Sequence, residues 1–245
     1  MRSLIMGLWI IAGLISGFIK GLCGVGDAPV FSSIMSFAEN NVDISPVALL
    51  VSFPSNLFIT WKNRKSLVTK VWLPMALLLI AGSIPGTLLL KNVDTTTLKL
   101  IFGVFITLVG IIMLYNEVGK KKMKPSKALL LTIGILAGVS SGLFGVGVLL
   151  IVYISLTTHD MSAFKGNICA IFFAENAVRL VMYLYLKLFT ASVLKNAAIT
   201  LPFVWIGLFL GQKSASFLDE RKAKIVVMSM LIVSGLAIVI SNIRL

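Results

Sequence analysis

The chain has 245 residues, of which 58% are hydrophobic and 13% charged, and its mean hydropathy is +1.02. A soluble domain of this length cannot bury that much apolar surface, so the composition implies lipid as the solvent. The formal net charge of +13 does not point to nucleic acid: Lys and Arg stand in short polar breaks between apolar runs, the place of charges that orient helices on a leaflet rich in anionic lipid.

Ten apolar segments are predicted in chain order: 4–20, 28–38, 46–61, 72–90 and 99–116, then 128–141, 148–158, 163–186, 191–210 and 223–242. The first carries Arg2 before an apolar run and could pass for a signal peptide, but it has no small-x-small cleavage site and holds part of an internal repeat. A spanning helix needs about 20 residues, roughly 17–25 with tilt, and most of the segments reach that range. The segments 28–38 and 148–158 fall furthest short of it. At about 1.5 Å per residue they cover about half of the ~30 Å hydrocarbon core, and are expected to be half-spans or arms of re-entrant hairpins. The polar stretch 117–127, with five lysines and Pro125, is the expected linker between halves. The domain reading is a first transmembrane repeat over 1–119, a basic cytoplasmic linker over 120–127 and a second repeat over 128–245.

The division rests on a pattern, G-x-x-x-G-L-x-G-V-G, that occurs twice, 121 residues apart. Gly17, Gly21, Leu22, Gly24, Val25 and Gly26 match Gly138, Gly142, Leu143, Gly145, Val146 and Gly147. Further on the offset changes: Gly82, Gly86, Asp94 and Gly110 match Gly207, Gly211, Asp219 and Gly235, and Asn56 matches Asn176. Loops therefore differ in length between the copies. The densely basic loops 62–70, 117–127 and 211–224 are separated by even numbers of segments, so all three are expected on the cytoplasmic side. Matching loops then fall on opposite faces. The expected fold is an all-α polytopic membrane protein of two inverted repeats, about five segments each, with glycine-broken helices near the start of each repeat and both termini outward.

Paired broken helices in two halves are the best sequence pointer to a transport site. Non-helical backbone at membrane depth leaves N–H and C=O groups unpaired, and it persists only under cover of protein or a wet cavity. The helix that restarts after each turn offers free N–H groups and a positive dipole end to an anion. Gly17 and Gly138 are read as close helix packing. Gly21, Gly24 and Gly26, with Gly142, Gly145 and Gly147, are read as the turns that face the substrate. Asp27 follows the first turn; it is read as an N-cap, as a carboxylate that couples proton movement to the substrate, or as both. Glu175 and Arg179, four apart, share one face of the eighth segment. They form an internal ion pair, or Arg179 meets the anion while Glu175 holds or releases it. Asn56 and Asn176 can donate to an oxyanion or bond a neighbouring helix. Lys20 and Lys165 either snorkel to the interface or draw an anion toward a cavity. Cys23 is a packing residue or a sulfur-exchange candidate. Ser52, Ser140 and Ser141 can line a polar path. With two cysteines, one histidine and no Cys/His cluster, neither a disulfide framework nor a metal site nor any other cofactor is expected.

On these features the chain resembles the sulfite exporter TauE/SafE family, also called the toluenesulfonate uptake permeases. Two G-x-x-x-G-x-x-G-x-G runs lie in inverted-looking halves, with a basic central loop and a length near that of the family. The resemblance covers essentially the whole chain. One position departs: the family commonly continues G-x-G-G-G, where this chain has Asp27 and Val148. The resemblance implies movement of sulfite, organosulfonates and related small sulfur-containing anions across a prokaryotic cytoplasmic membrane. The expected function is a secondary transporter, exporter or permease, working by alternating access. The partners are the anionic substrate, the bilayer and, as coupling ion, protons. A passive anion channel is the alternative, and an enzyme is not expected.

Overall fold

The computed structural model describes residues 2–90, 93–118, 127–147, 149–158, 160–215, 217 and 220–243. Among these it contains ten α-helices: α1 (Arg2–Cys23), α2 (Asp27–Met35), α3 (Asn41–Lys62), α4 (Thr69–Leu90), α5 (Thr95–Val118), α6 (Lys127–Phe144), α7 (Leu149–Thr157), α8 (Met161–Tyr185), α9 (Ala191–Ser214) and α10 (Glu220–Ile243). Each coincides with one predicted apolar segment. A single 3-10 turn, Arg64–Ser66, follows α3. The protein is an all-α polytopic membrane protein. Six helices (α1, α3, α4, α5, α8 and α9) are long and apolar enough to cross a bilayer, and α6 and α10 carry shorter apolar stretches, Leu130–Phe144 and Leu231–Ile240. The linker 119–126, Val148, His159 and Asp219 lie outside the described residues.

Local chemistry sets several helix starts. The carboxylate of Asp160 accepts from Ala163 N–H at 2.8 Å, the Thr190 hydroxyl from Val193 N–H at 3.2 Å, and Asp94 from Thr97 N–H at 2.9 Å. These caps satisfy N–H groups that a helix leaves unpaired at its start. The short helices α2 and α7 have nine residues each. They extend about 14 Å at 1.5 Å per residue, half of a bilayer core.

Packing pairs the helices across the two halves of the chain. α1 lies parallel to α9, with Gly13, Gly17 and Gly21 meeting Thr200, Val204 and Leu208 in order. α4 lies parallel to α6, where Gly82 and Gly86 meet Gly138 and Gly142. A Cβ on Gly17 would overlap the Val204 carbonyl, and one on Gly211 the Phe18 carbonyl. Such contacts bring helix backbones together where lipid supplies no hydrophobic drive, so van der Waals packing carries the association. α5 and α10 run antiparallel, Gly103 facing Gly235 and Gly110 facing Ile232. α3 and α8 also run antiparallel, from Asn63 beside Gly166 to the Phe53–Phe173 stack, whose ring centroids are 4.9 Å apart. The ends of α3 and α9 meet where Lys62 Nζ donates to Gln212 Oε1 at 2.9 Å.

Candidate functional site

Each glycine run ends a long helix and opens a short one. After α1 the chain passes through Gly24, Val25 and Gly26 into α2; after α6 it passes through Gly145, Val146 and Gly147 toward α7. Gly24 (φ +81°) and Gly145 (φ +73°) both adopt left-handed backbone. Their N–H groups close back on Lys20 O at 2.7 Å and Ser141 O at 2.8 Å. This is the left-handed helix stop that glycine makes at least cost, because any Cβ there crowds the following carbonyl. Ser140 braces the second turn, its hydroxyl 2.9 Å from both Ala137 O and Val146 O.

The two turns border one small cavity. Its wall combines Gly26 and the first turn of α2 (Asp27, Ala28, Pro29) with Gly145 and Gly147 of the other turn. α3 supplies Ala48, Ser52 and Asn56, spaced four apart and therefore in one stripe. α8 supplies Phe172, Asn176 and Arg179 from the facing stripe, while Ser141 and Ile151 complete the wall. Three predicted turn glycines (Gly26 from one half, Gly145 and Gly147 from the other) thus face the same space.

Two ion pairs flank it. Asp27 Oδ2 accepts from Lys20 Nζ at 2.7 Å and from Ser52 Oγ at 2.8 Å. Lys20 is only 1% exposed, so it does not snorkel: its ammonium turns inward to Asp27, the nearest group that can compensate a buried charge. Asp27 is not an N-cap either. Gly26 occupies the cap position with φ +93°, no side chain caps α2, and the Asp27 carboxylate is spent on Lys20 and Ser52. On the other side, Arg179 Nη1 donates to Ser141 O at 2.6 Å, to Ser141 Oγ at 2.9 Å and to Glu175 Oε1 at 3.4 Å. Ser141 Oγ in turn donates to Glu175 Oε1 at 3.1 Å. The Arg179 guanidinium stands 5.5 Å from the centre of the Tyr183 ring, while its Nε has no hydrogen-bond partner. Arg179 is 2% exposed and Glu175 0%.

Seven of the thirteen candidates therefore come together: Gly26, Asp27, Asn56, Gly145, Gly147, Asn176 and Arg179. Glu175 stands behind Arg179 with no edge on the cavity. Gly21 and Gly142 belong to the helix pairs, packed on Leu208 and Ser83 backbone. Cys23 is buried in an apolar cluster with Leu22, Ile168 and Cys169. Lys165 neither snorkels nor lines the cavity; its Nζ donates to Leu22 O at 2.8 Å, an unpaired carbonyl at the end of α1, and its stem covers Gly24. Gly24 touches Lys165 and Cys169 instead of the cavity. The apolar wall, Phe172 and Ile151 above all, escaped sequence reasoning; the signal available was Phe172, four residues before Asn176 on the same helix face. Among the described residues no group of three His, Cys, Asp or Glu can hold a metal ion.

A family model described as "Sulfite exporter TauE/SafE" matches residues 9–238. No curated protein and no solved structure matches the chain.

Proposed function

The chain belongs to the sulfite exporter TauE/SafE family, and from that premise we propose that it is a secondary transporter that binds a small sulfur-containing oxyanion between its two glycine turns and releases it by alternating access. Membership makes the protein a membrane transporter of sulfur-containing anions. The observation that carries the finer reading is Arg179. Its guanidinium is 2% exposed, yet it lines a cavity together with Asn56 and Asn176. A planar guanidinium suits the paired oxygens of a sulfite or sulfonate, and the asparagine amides add neutral donors. Glu175 and Ser141 hold Arg179 in place. Asp27 is a carboxylate on the same wall, so an arriving anion meets like charge there. A proton on Asp27 removes that repulsion and frees Lys20 to face the anion, which makes Asp27 the coupling group of this reading.

Cross-packing of the halves supports the inverted-repeat arrangement on which alternating access relies. α1 runs parallel to α9, α9 ends beside the start of the 62–70 loop, and α4 leaves that loop parallel to α6. α1 and α6, the two copies of the broken helix, therefore point in opposite directions. The cell membrane of a prokaryote is the proposed location.

The test is a proteoliposome assay. Purified protein is screened for thermal stabilisation by sulfite, thiosulfate, sulfate and short organosulfonates, because a ligand specific to the folded state raises its stability. Hits are then followed by uptake and by counterflow against a preloaded substrate. Saturable counterflow that disappears in Arg179→Gln is the expected result. Flux without counterflow would replace the transporter by a passive pore, and undiminished counterflow in Arg179→Gln would remove Arg179 from the site.

A further inference from the structure

The polar face of the cavity accounts for an anionic head but leaves its apolar face without a role. On α8 the lining residues follow one stripe from charge to hydrocarbon: Arg179, Asn176, then Phe172. The equivalent stripe on α3 reads Asn56 and then Ser52. With Asn176 matched to Asn56, Phe172 stands where the first half has Ser52, whose hydroxyl serves Asp27. The two halves thus share the asparagine and differ one turn away, serine in one and a phenyl ring in the other.

The ring has a defined seat. A Cβ on Gly147 would come within 2.8 Å of Phe172 Cε1, so the ring edge lies flush on the bare Cα of the second turn. Leu79 Cδ1 backs the same point at 3.5 Å. Gly147 is not among the residues with positive φ, so its lack of a side chain serves this contact and not a backbone conformation. Ile151, Pro29 and Ala28 continue the apolar lining. Arg179 and Phe172 lie seven residues apart, about 10 Å along the helix axis at 1.5 Å per residue. An oxyanion held at Arg179 and the asparagines consumes much of that span. Arg179 and the Phe172 ring line the same cavity, with the ring in its apolar part.

We propose that Phe172 is a specificity-determining residue: its ring, seated on Gly147, forms the end wall of a subsite for the hydrocarbon substituent of the substrate and limits that substituent to a few atoms. The assignment rests on the reading of the cavity as the anion site. An aromatic wall gains by covering an apolar substituent, whereas it cannot repay the desolvation of a fully polar, doubly charged oxyanion such as sulfate. Selection by such a wall is worth about tenfold or more per methylene that no longer fits.

The experiment measures uptake of methanesulfonate, ethanesulfonate and butanesulfonate, with sulfite alongside, into proteoliposomes holding wild type, Phe172→Ala or Phe172→Leu. Wild type is expected to take methanesulfonate and ethanesulfonate in preference to butanesulfonate. Phe172→Ala should raise the butanesulfonate-to-methanesulfonate ratio of kcat/KM by about tenfold or more, since deleting the ring opens several methylenes of length. Phe172→Leu should shift the ratio the same way by less, and it serves if the alanine variant fails to insert. A uniform fall for all substrates in both variants marks a merely structural role and overturns the proposal, as does an unchanged ratio. If wild type moves neither sulfite nor any sulfonate, the anion-site reading fails first and takes this one with it; that outcome is told apart by the wild-type arm alone.

Discussion

Gly24 and Gly145 share a left-handed backbone and a hydrogen bond four residues back, yet their surroundings differ. A Cβ on Gly145 finds ordinary contacts, the nearest being Arg179 Nη2 at 3.6 Å, whereas one on Gly24 collides with the Lys165 stem. Gly145→Ala therefore carries only the backbone penalty, about 1–2 kcal/mol for an L-residue in that region. Gly24→Ala adds the displacement of Lys165 from Leu22 O. The expected order of thermal stability in detergent is wild type, Gly145→Ala, Gly24→Ala; equal losses would mean that Lys165 yields freely. Leucine at either position is expected to abolish uptake while the protein still inserts. The two cations separate in a similar way. Lys20→Gln strands the Asp27 carboxylate, and breaking a buried pair costs about 3–5 kcal/mol, so its first effect is on stability. Arg179→Gln acts on the cavity wall and should weaken anion binding more than Lys20→Gln does, measured by calorimetric titration with a sulfonate. The Lys20–Asp27 pair was not legible in the sequence. The partners are seven apart across a helix break, and no helical periodicity relates residues on either side of a left-handed turn. Glu175 and Arg179, four apart on one uninterrupted helix, were legible for the opposite reason.

At the level of elements, α8 fastens both breaks. Lys165 and Cys169, one helical turn apart, hold Leu22 O and Gly24 O of the first break; Arg179 holds Ser141 O of the second. A carbonyl at a helix end inside a membrane has no water to turn to, so a side-chain donor is its substitute. Lys165→Met keeps the hydrocarbon stem and removes the donor. It should lower the unfolding temperature, and Lys165→Arg should restore part of the loss; no change in Lys165→Met would show that another donor reaches Leu22 O. Sequence reasoning found all ten helices because apolar runs bounded by glycine turns and charge clusters are local signals. It also separated α2 and α7 as too short to span. It misplaced Gly21 and Gly142, because a glycine that ends a helix and a glycine that lets two backbones touch look alike in a string of letters. Their partners, Leu208 on α9 and Ser83 on α4, lie far away in the chain.

Over the whole molecule, the sequence halves are not independent bodies. α1 takes its closest partner, α9, from the other half, and α6 takes α4, while α3 with α8 and α5 with α10 also pair across the linker. Neither half is expected to fold alone. Residues 1–118 and 127–245 made as separate chains should be degraded singly and recovered together when co-expressed, with one tag pulling down both; stable accumulation of either fragment alone would contradict this. The duplicated glycine pattern says nothing of which helices pair, since only contacts reveal which surfaces are shared. At Phe53 and Phe173, equivalent positions stack directly on one another. Residues that match across the linker thus touch each other, so a substitution at one of them is felt directly on the surface of its counterpart. Along the same pair of helices the matched positions Ser52 and Phe172 differ.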